Sequence, residues 1–205
     1  MRKEEVIDLH FGFFRDFGFD FHPENFLFQK SFPEENQVVF IHYSEYPEVS
    51  YLEYNLGVRI HQVEQIIHKF LPTLSDYSTR SLTLIQSLDA INPDYPRRYA
   101  VKNNQELNES ILAAERFFAQ EGFKWLDQLV QPKVLQRAFA QRKDKPFQSQ
   151  NFVYAAFRSV TLAKLYKPED YPKLREFYLD QIKQKEMTPF TIASFLQLLD
   201  FLDHL

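Results

Sequence analysis

The chain has 205 residues, of which 17% are aromatic and none is cysteine, and its formal net charge is −4. The absence of cysteine excludes a disulfide scaffold, thiol catalysis, thiolate zinc sites and iron–sulfur clusters. The acidic balance argues against nucleic acid as a partner, because phosphate contacts need clustered lysine and arginine. The length fits one domain, or one domain with an appended helical part.

The sequence carries no pattern typical of export or membrane insertion. Residues 1–5 are mostly charged and Asp8 interrupts the nearest apolar run, which is not the pattern of a signal peptide. A membrane-spanning helix needs a stretch of about 18 or more apolar residues, and none occurs. We therefore expect a cytoplasmic protein without a membrane partner.

The N-terminal part of the chain predicts one helix followed by three strands. Apolar side chains recur at helical spacing up to Phe17, and Gly18 follows where a left-handed C-terminal cap belongs. The period then changes to two over residues 26–29, 37–43 and 52–60, with polar turn clusters between the runs. Three strands joined by short loops indicate an antiparallel meander with one buried face, which the N-terminal helix would cover.

The rest of the chain is mostly helical in pattern. Residues 61–71 return to helical spacing, residues 81–88 and 97–101 are typical of two further short strands, and no strand signal follows. Helical segments occupy the remainder, at residues 107–118, 125–130, 134–139, 152–166, 171–185 and 189–205. Strands that precede a run of helices indicate an α+β fold. We predict an N-terminal helix, an antiparallel meander sheet of three to five strands, and a helical C-terminal half.

The polar run at residues 141–145 marks a boundary between two parts of the chain. We predict an α+β domain at residues 1–140 and a three-helix C-terminal extension at residues 147–205. The extension would pack on the same core, and an appended bundle is the other arrangement that the pattern allows.

Several catalytic and cofactor motifs are missing from the sequence. The four glycines are scattered, so no glycine-rich phosphate loop is formed, and neither Gly-x-Ser-x-Gly nor His-Glu-x-x-His occurs. His61 and His68 are two helical turns apart on one predicted helix, which is about 10 Å along the axis and too far for one metal ion. The sequence predicts no metal site and no cofactor.

The polar face of the long third strand is the best candidate for a functional patch. Glu53, Asn55 and Arg59 fall on or near that face, and His42 and Tyr43 lie on the neighbouring strand. Polar residues on a sheet face can line a cleft, whereas many such faces are only the solvated side of a half-buried sheet. Both interpretations stay open at the level of sequence.

A second candidate patch is basic and aromatic. Arg97 and Arg98 stand between Tyr95 and Tyr99, after a loop. Two adjacent guanidinium groups could bind a phosphate or the carboxylate of a partner, and the alternative is two solvated arginines at the start of a strand. Other aromatic residues that core packing does not claim would also mark a binding surface, namely Phe32, Tyr43, Tyr46 and Tyr51.

Three short motifs carry a resemblance to a known family. They are Gly18-Phe19, the strand Tyr51-Leu52-Glu53-Tyr54-Asn55-Leu56-Gly57-Val58, and Gly122-Phe123-Lys124-Trp125-Leu126. Over residues 1–140 this pattern resembles a bacterial family known only as a domain of unknown function. The resemblance implies an α+β fold and no assigned activity, so no catalytic residue is carried over.

Two hypotheses for function follow from these observations. The first is a small protein-interaction module, either self-associating or an immunity-type partner of a toxin, because no catalytic constellation is present and aromatic residues dominate interface energetics. The second is an enzyme or small-ligand carrier with a cleft between the sheet and the C-terminal helices. It would use His42, Glu53 and Arg59, and it predicts that these side chains converge around a pocket.

Overall fold

The structure, a computed structural model, describes residues 3–71, 77–145, 147 and 150–205. The described chain opens with two short helices, α1 (Lys3–Asp8) and α2 (Phe11–Asp16). The strands are β1 (Asp20–His22), β2 (Leu27–Ser31), β3 (Glu35–Ser44), β4 (Ser50–Ile60), β5 (Leu84–Ser87) and β6 (Arg98–Val101). The further helices are α3 (His61–Ile67), α4 (Leu88–Ile91), α5 (Asn104–Phe117), α6 (Phe123–Leu129), α7 (Pro132–Gln141), α8 (Phe152–Tyr166), α9 (Tyr171–Gln184) and α10 (Pro189–Asp203). This order confirms the predicted α+β class and the helical C-terminal half. Within the described ranges, no helix combines the length and the apolar character needed to cross a bilayer.

The strands form one sheet in the order β1-β2-β3-β4-β5, and β6 also pairs with β4. The first four strands are neighbours both in sequence and in the sheet, so the predicted meander is confirmed. In the antiparallel pairs, Phe28 lies opposite Val39 and Glu53 lies opposite Arg98. Counted over the described residues, the sheet has six strands rather than three to five. The additional strand β1 is only three residues long, which is too short to show an alternating pattern in the sequence.

The N-terminal helix is interrupted where the sequence predicts a continuous one. α1 ends at Asp8 and α2 begins at Phe11, with His10 between them. The backbone N–H of His10 donates to the carbonyl of Ile7 at 2.9 Å, and the ring Nδ1 donates to the carbonyl of Val6 at 2.7 Å. In a continuous α-helix the backbone N–H of His10 would donate to the carbonyl of Val6. The side chain of His10 occupies that acceptor instead, and the chain turns there.

The described chain divides into two compact units, of which the first comprises Met1–Val58 and Ile85–Asp127. Its core is aromatic. The buried ring of Phe14 stacks on that of Phe28 at 4.6 Å between centroids and meets that of Phe118 edge-on at 5.1 Å. Tyr54 of β4 also packs edge-on against Phe118, at 5.7 Å. Such pairs contribute about 0.5–1.5 kcal/mol beyond the area that they bury, so α2 is held against the sheet by its predicted apolar face.

The second unit comprises Arg59–Leu84 and Gln128–Leu205 and is built around α8. Residues 155–163 of α8 are all buried, and α3, α7, α9 and α10 each pack against this helix. A helix that is buried on every side forms the centre of a helical core. The three C-terminal helices keep their predicted bounds to within two residues. The unit also includes residues 59–84, and the division into a domain at 1–140 and an extension at 147–205 stays a prediction.

Gly122 ends a five-residue π-helical segment, Phe118–Gly122, which links α5 to α6 without a break. The sequence pattern predicts a helix end near this glycine. The structure gives a different reason for it: a Cβ at Gly122 would lie 2.9 Å from Cε1 of Phe117 and 3.0 Å from Cδ1 of Phe118, and both rings are buried. A Cβ at Gly12, on the exposed side of α2, would meet nothing within 4 Å. Gly122 therefore permits close packing, whereas Gly12 has no such role.

The two glycines should respond in opposite directions to substitution by alanine. Gly122→Ala should lower the free energy of unfolding by about 1–3 kcal/mol, because the added methyl group overpacks a buried site. Gly12→Ala should leave it unchanged or raise it by up to about 1 kcal/mol, because alanine favours the helix. Urea denaturation followed by circular dichroism measures both. Equal effects would contradict the close packing at Gly122.

His10 is a buried, neutral histidine in the first unit. Its side chain is 1% exposed, and Nε2 lies 2.8 Å from the hydroxyl oxygen of Tyr54. A neutral ring that donates from Nδ1 to Val6 accepts the Tyr54 proton at Nε2, so both nitrogens are satisfied. Burial lowers the pKa of His10 from 6.5 to about 4, although the hydrogen bond to Val6 acts in the opposite direction.

The free energy of unfolding should decrease as the pH falls, because the folded chain keeps His10 neutral while the unfolded chain protonates it. The unfolded chain binds a proton at an ordinary pKa near 6.5 and the folded chain only at about 4, so acidification within this window favours unfolding. The low pKa of His10 contributes about 3 kcal/mol to the free energy of unfolding. This contribution is complete above a pH of about 6.5 and is lost as the pH falls to about 4. Urea denaturation of the wild type and of His10→Gln, at neutral pH and at a pH of about 4, measures it. The stability difference between the two proteins should shrink at the lower pH, and a constant difference would refute the assignment.

Candidate functional site

On β4 and β6, half-buried and exposed polar side chains share one face of the sheet. Tyr51 and Glu53 are two residues apart on β4 and therefore share a face. Glu53 lies opposite Arg98 in the antiparallel pairing. The intervening residues of β4 form the opposite face and are all buried, namely Leu52, Tyr54, Leu56, Val58 and Ile60. The sequence pattern predicts this division, and it holds as far as Asn55: Tyr51, Glu53 and Asn55 are half-buried on the more open face, whereas Arg59 further along that face is buried.

A row of aromatic and charged groups crosses this face. We call it the tyrosine–arginine face, and it consists of Tyr46, Tyr51, Glu53, Arg97 and Arg98. Cζ of Arg98 lies 4.4 Å from the centroid of the Tyr51 ring. The Tyr51 ring meets that of Tyr46 edge-on, with 5.9 Å between centroids. A cation over an exposed aromatic ring contributes about 0.5–1 kcal/mol, which favours one position of the guanidinium. Tyr46 is 57% exposed, and both arginines are exposed.

The two arginines of this face lack a carboxylate partner. Neither Arg97 nor Arg98 has a carboxylate oxygen within 4.0 Å among the residues that the structure describes. Together with Glu53 they line a shallow depression of about 270 Å³. A second depression of about 210 Å³ is lined by Tyr46 and Lys102, among others. The face therefore offers guanidinium donors beside two concave surfaces.

The structure brings together part of the predicted polar patch. His42 is exposed on β3. Burial and the charge of Lys3 lower the pKa of His42, and the charge of Glu53 acts in the opposite direction, so His42 and Glu53 are electrostatic neighbours. Asn55 follows Glu53 on the same face of β4 and is half-buried. Tyr43 follows His42 directly and therefore lies on the opposite face of β3.

The predicted basic and aromatic patch divides between surface and core. Side chains alternate along β6, so Arg98 is exposed and Tyr99 is half-buried on the other side. The Tyr99 ring meets that of Tyr54 edge-on at 6.3 Å, and burial raises the pKa of Tyr99 to about 12. Tyr95 packs edge-on against Phe117 at 4.9 Å. The arginines thus face solvent, while the two tyrosines stabilise the first unit.

Arg59, the remaining residue of the predicted polar patch, belongs to the second unit and is only 9% exposed. Its Nη2 donates to the carbonyl of Ser78 at 2.7 Å. Its Nη1 donates to the carbonyl of Ser81 and, at 2.7 Å, to the Ser81 hydroxyl. Burial lowers the pKa of Arg59. All three hydrogen-bond acceptors are neutral, so these bonds satisfy donors without compensating the charge.

A buried ion pair joins α3 to α8 in the second unit. Nε and Nη2 of Arg158 donate to the two carboxylate oxygens of Glu64, at 2.9 and 3.0 Å. Glu64 is fully buried and Arg158 is 7% exposed. Burial raises the pKa of Glu64, but the charge and hydrogen bonds of Arg158, with hydrogen bonds from Ser81 and Thr83, hold it below its ordinary value. The carboxylate is therefore charged at neutral pH.

Lys102 lies beside the tyrosine–arginine face and is not among the predicted site residues, although the sequence contains a signal for its position. Asn103 caps α5 by accepting the backbone N–H of Glu106 at 2.9 Å. The Glu106 carboxylate in turn accepts the backbone N–H of Lys102 at 2.9 Å. The Asn-x-x-Glu spacing is a helix-start pattern, and it could have located Lys102 at the rim of the depression. No comparable signal exists for the pairing of Glu64 with Arg158.

Comparisons with known proteins do not identify the chain. No protein-family model, no curated protein and no solved structure matches it. The resemblance of residues 1–140 to a family of unknown function therefore stays a prediction. Over the described ranges, no cluster of three or more histidine, aspartate or glutamate side chains could hold a metal ion.

The buried ion pair should be far more sensitive to loss of one partner than an exposed pair is. Arg158→Met leaves the buried Glu64 carboxylate unpaired, and we expect the free energy of unfolding to fall by about 3–5 kcal/mol. The double variant Glu64→Leu/Arg158→Met should recover most of that loss, because no buried charge remains. Urea denaturation measures both changes.

The exposed pair of Arg175 and Asp203 is the matched control for this test. Nη2 of Arg175 lies 2.9 Å from Oδ2 of Asp203, and both side chains are 36% exposed. Arg175→Met should cost about 1 kcal/mol or less. A similar loss in Arg158→Met and Arg175→Met would contradict the description of the buried pair.

Proposed function

We propose that the chain is a protein-binding module that uses the tyrosine–arginine face to bind an acidic segment of a protein partner. One observation carries the proposal: the guanidinium of Arg98 is stacked on Tyr51, beside the exposed Tyr46 and next to Arg97. In the described part of the chain, neither arginine is within ion-pair distance of a carboxylate.

The residue types of this face are those that contribute most to protein interfaces. Tyrosine and arginine are enriched among the residues whose truncation costs the most binding energy. Tyr46 offers a large amphipathic ring that loses little rotamer freedom on binding. Because Arg98 is already stacked on Tyr51, part of the ordering that binding requires is present in the free protein.

The charges of the face favour a carboxylate as the group that it binds. Guanidinium groups donate two parallel N–H bonds to a carboxylate, and Arg97 and Arg98 are adjacent. Glu53 lines the same depression and would repel a carboxylate there. The partner's carboxylate would therefore reach the arginines from the side away from Glu53. A polyanion such as nucleic acid is a poorer match, because it needs many clustered lysine and arginine contacts, whereas this face offers two arginines on a chain of net charge −4.

The alternative, an enzyme or small-ligand carrier, has less support. In the residues that the structure describes, no hydrogen bond joins His42 to Glu53, and their interaction is electrostatic. The guanidinium of Arg59 is engaged by Ser78 and Ser81. The groups that this alternative needs are thus not arranged as a catalytic set.

A peptide-display selection tests the proposed function. Random peptides are selected on immobilised wild-type protein, and the affinities of the selected peptides are measured by fluorescence anisotropy. We expect the selected peptides to combine aspartate or glutamate with an aromatic or aliphatic residue. Arg98→Ala and Tyr46→Ala should each weaken their binding by about tenfold or more. Arg116→Ala, which removes an exposed arginine of α5, is the matched control and should leave the affinity unchanged.

Two further outcomes would contradict the proposal. Selected peptides that lack acidic residues, or that lose affinity equally in Arg98→Ala and Arg116→Ala, would show that the face is not the binding surface. Sedimentation equilibrium of the wild type and of Arg98→Ala tests for a second copy of the chain as the partner. If the wild type self-associates and Arg98→Ala does not, the partner is a second copy of the chain. That result would overturn the proposal of an acidic partner.

A further inference from the structure

The second unit buries more positive than negative charge around Arg59. Arg158 is neutralised by Glu64 through two hydrogen bonds. Arg59 interacts electrostatically with both of these groups, but its own hydrogen bonds end on neutral oxygens. Among the described residues it has no carboxylate oxygen within 4.0 Å. Within the described ranges, this buried cation therefore has no counter-charge of its own, which is an energetically costly arrangement.

Arg59 also lines an open pocket of about 520 Å³ whose walls carry further hydrogen-bond donors. The lining residues are Arg59, Gln65, His68, Lys69, Ser78 and Thr79. Lys69 adds a second cation at the exposed side of the pocket. The guanidinium of Arg59 has more N–H donors than its three hydrogen bonds to Ser78 and Ser81 use.

His68 supplies an independent observation at this pocket. Its Nε2 is buried and has no hydrogen-bond partner in the described ranges of the chain. Burial lowers the pKa of His68, and the opposing charges of Glu64 on one side and of Arg59 and Arg158 on the other leave it below its ordinary value. The imidazole is thus neutral at neutral pH, and a neutral imidazole can donate one N–H to an anion.

We propose that this pocket of the second unit binds a phosphate group, with the Arg59 guanidinium at its base and His68 and Lys69 on its walls. A phosphate would supply a negative charge beside the Arg59 guanidinium. It also has more acceptor oxygens than a carboxylate, which matches a donor set of guanidinium, imidazole, ammonium and the hydroxyls of Ser78 and Thr79. The site lies in a different unit from the tyrosine–arginine face, so the two proposals succeed or fail independently.

Lys69 is the residue through which the site is best tested, because Arg59 supports the chain at Ser78 and Ser81 and its loss could unfold that region. Nζ of Lys69 lies 5.1 Å from the centroid of the Phe201 ring. Lys69→Met keeps the apolar stem beside Phe201 and removes the charge, whereas Lys69→Arg keeps the charge. Lys133→Met, at an exposed position on α7, is the matched control.

Calorimetric titration and thermal unfolding with inorganic phosphate, and with glycerol 3-phosphate, measure the binding against sodium chloride at equal ionic strength. We expect a saturable rise of Tm in the wild type, since a ligand that binds only the folded state stabilises it. Lys69→Met should weaken binding by about fivefold or more, and Lys69→Arg and Lys133→Met should bind as the wild type does. Tighter binding of glycerol 3-phosphate would identify a phosphomonoester as the ligand, and tighter binding of inorganic phosphate would identify the free ion.

The ring proton signals of His68, assigned in NMR spectra with His68→Asn, provide a second measurement. They should shift in proportion to the fraction of phosphate bound, because the anion would lie beside the imidazole ring that lines the pocket. Two results overturn the proposal: phosphate that stabilises Lys69→Met as much as the wild type, which is a general salt effect, or saturation without a shift of the His68 signals.

Discussion

The alternation of side chains along β4 is the constraint on which the first unit depends. On one face of this strand, the hydroxyl of Tyr54 donates to Nε2 of His10, and the Tyr54 ring packs against that of Phe118. The other face presents Tyr51 and Glu53 to solvent beside β6. A shift of register by one residue would exchange the two faces, exposing the apolar residues and burying the charge. The packing of the core and the chemistry of the tyrosine–arginine face are therefore determined by the same register.

The two units satisfy buried titratable groups in two different ways. His10 is surrounded by neutral partners, so the neutral form is favoured and its pKa falls to about 4. Glu64 has a guanidinium as its partner, so the charged form is favoured although burial alone would raise its pKa. Among the described residues the acceptors of Arg59 are neutral, yet it keeps its charge, because arginine loses its proton only at very high pH. This difference is what makes the surroundings of Arg59 a place where an anion would be stabilised.

Much of the fold could be predicted, because long elements reveal their period and helix ends carry their own chemistry. The side chains of Asn103 and Thr188 cap α5 and α10, and the last three helices begin at the predicted residues. Short or irregular features escaped prediction. Strand β1 has too few residues for a pattern, and the break at His10 depends on a hydrogen bond of its own side chain to Val6. The π-helical segment at Gly122 depends on two buried rings.

The sequence by itself determined the α+β order, the apolar and polar faces of β4, and the presence of Arg97 and Arg98 at the start of a strand, because these are properties of neighbouring residues. Only the tertiary structure decided which side chains meet. The pairing register of β4 with β6 stacks Arg98 on Tyr51, and the packing of α3 against α8 joins Glu64 to Arg158. The burial of the Arg59 guanidinium is likewise a result of packing. Contacts between residues far apart in the chain depend on how complete elements pack, and no local pattern contains that information.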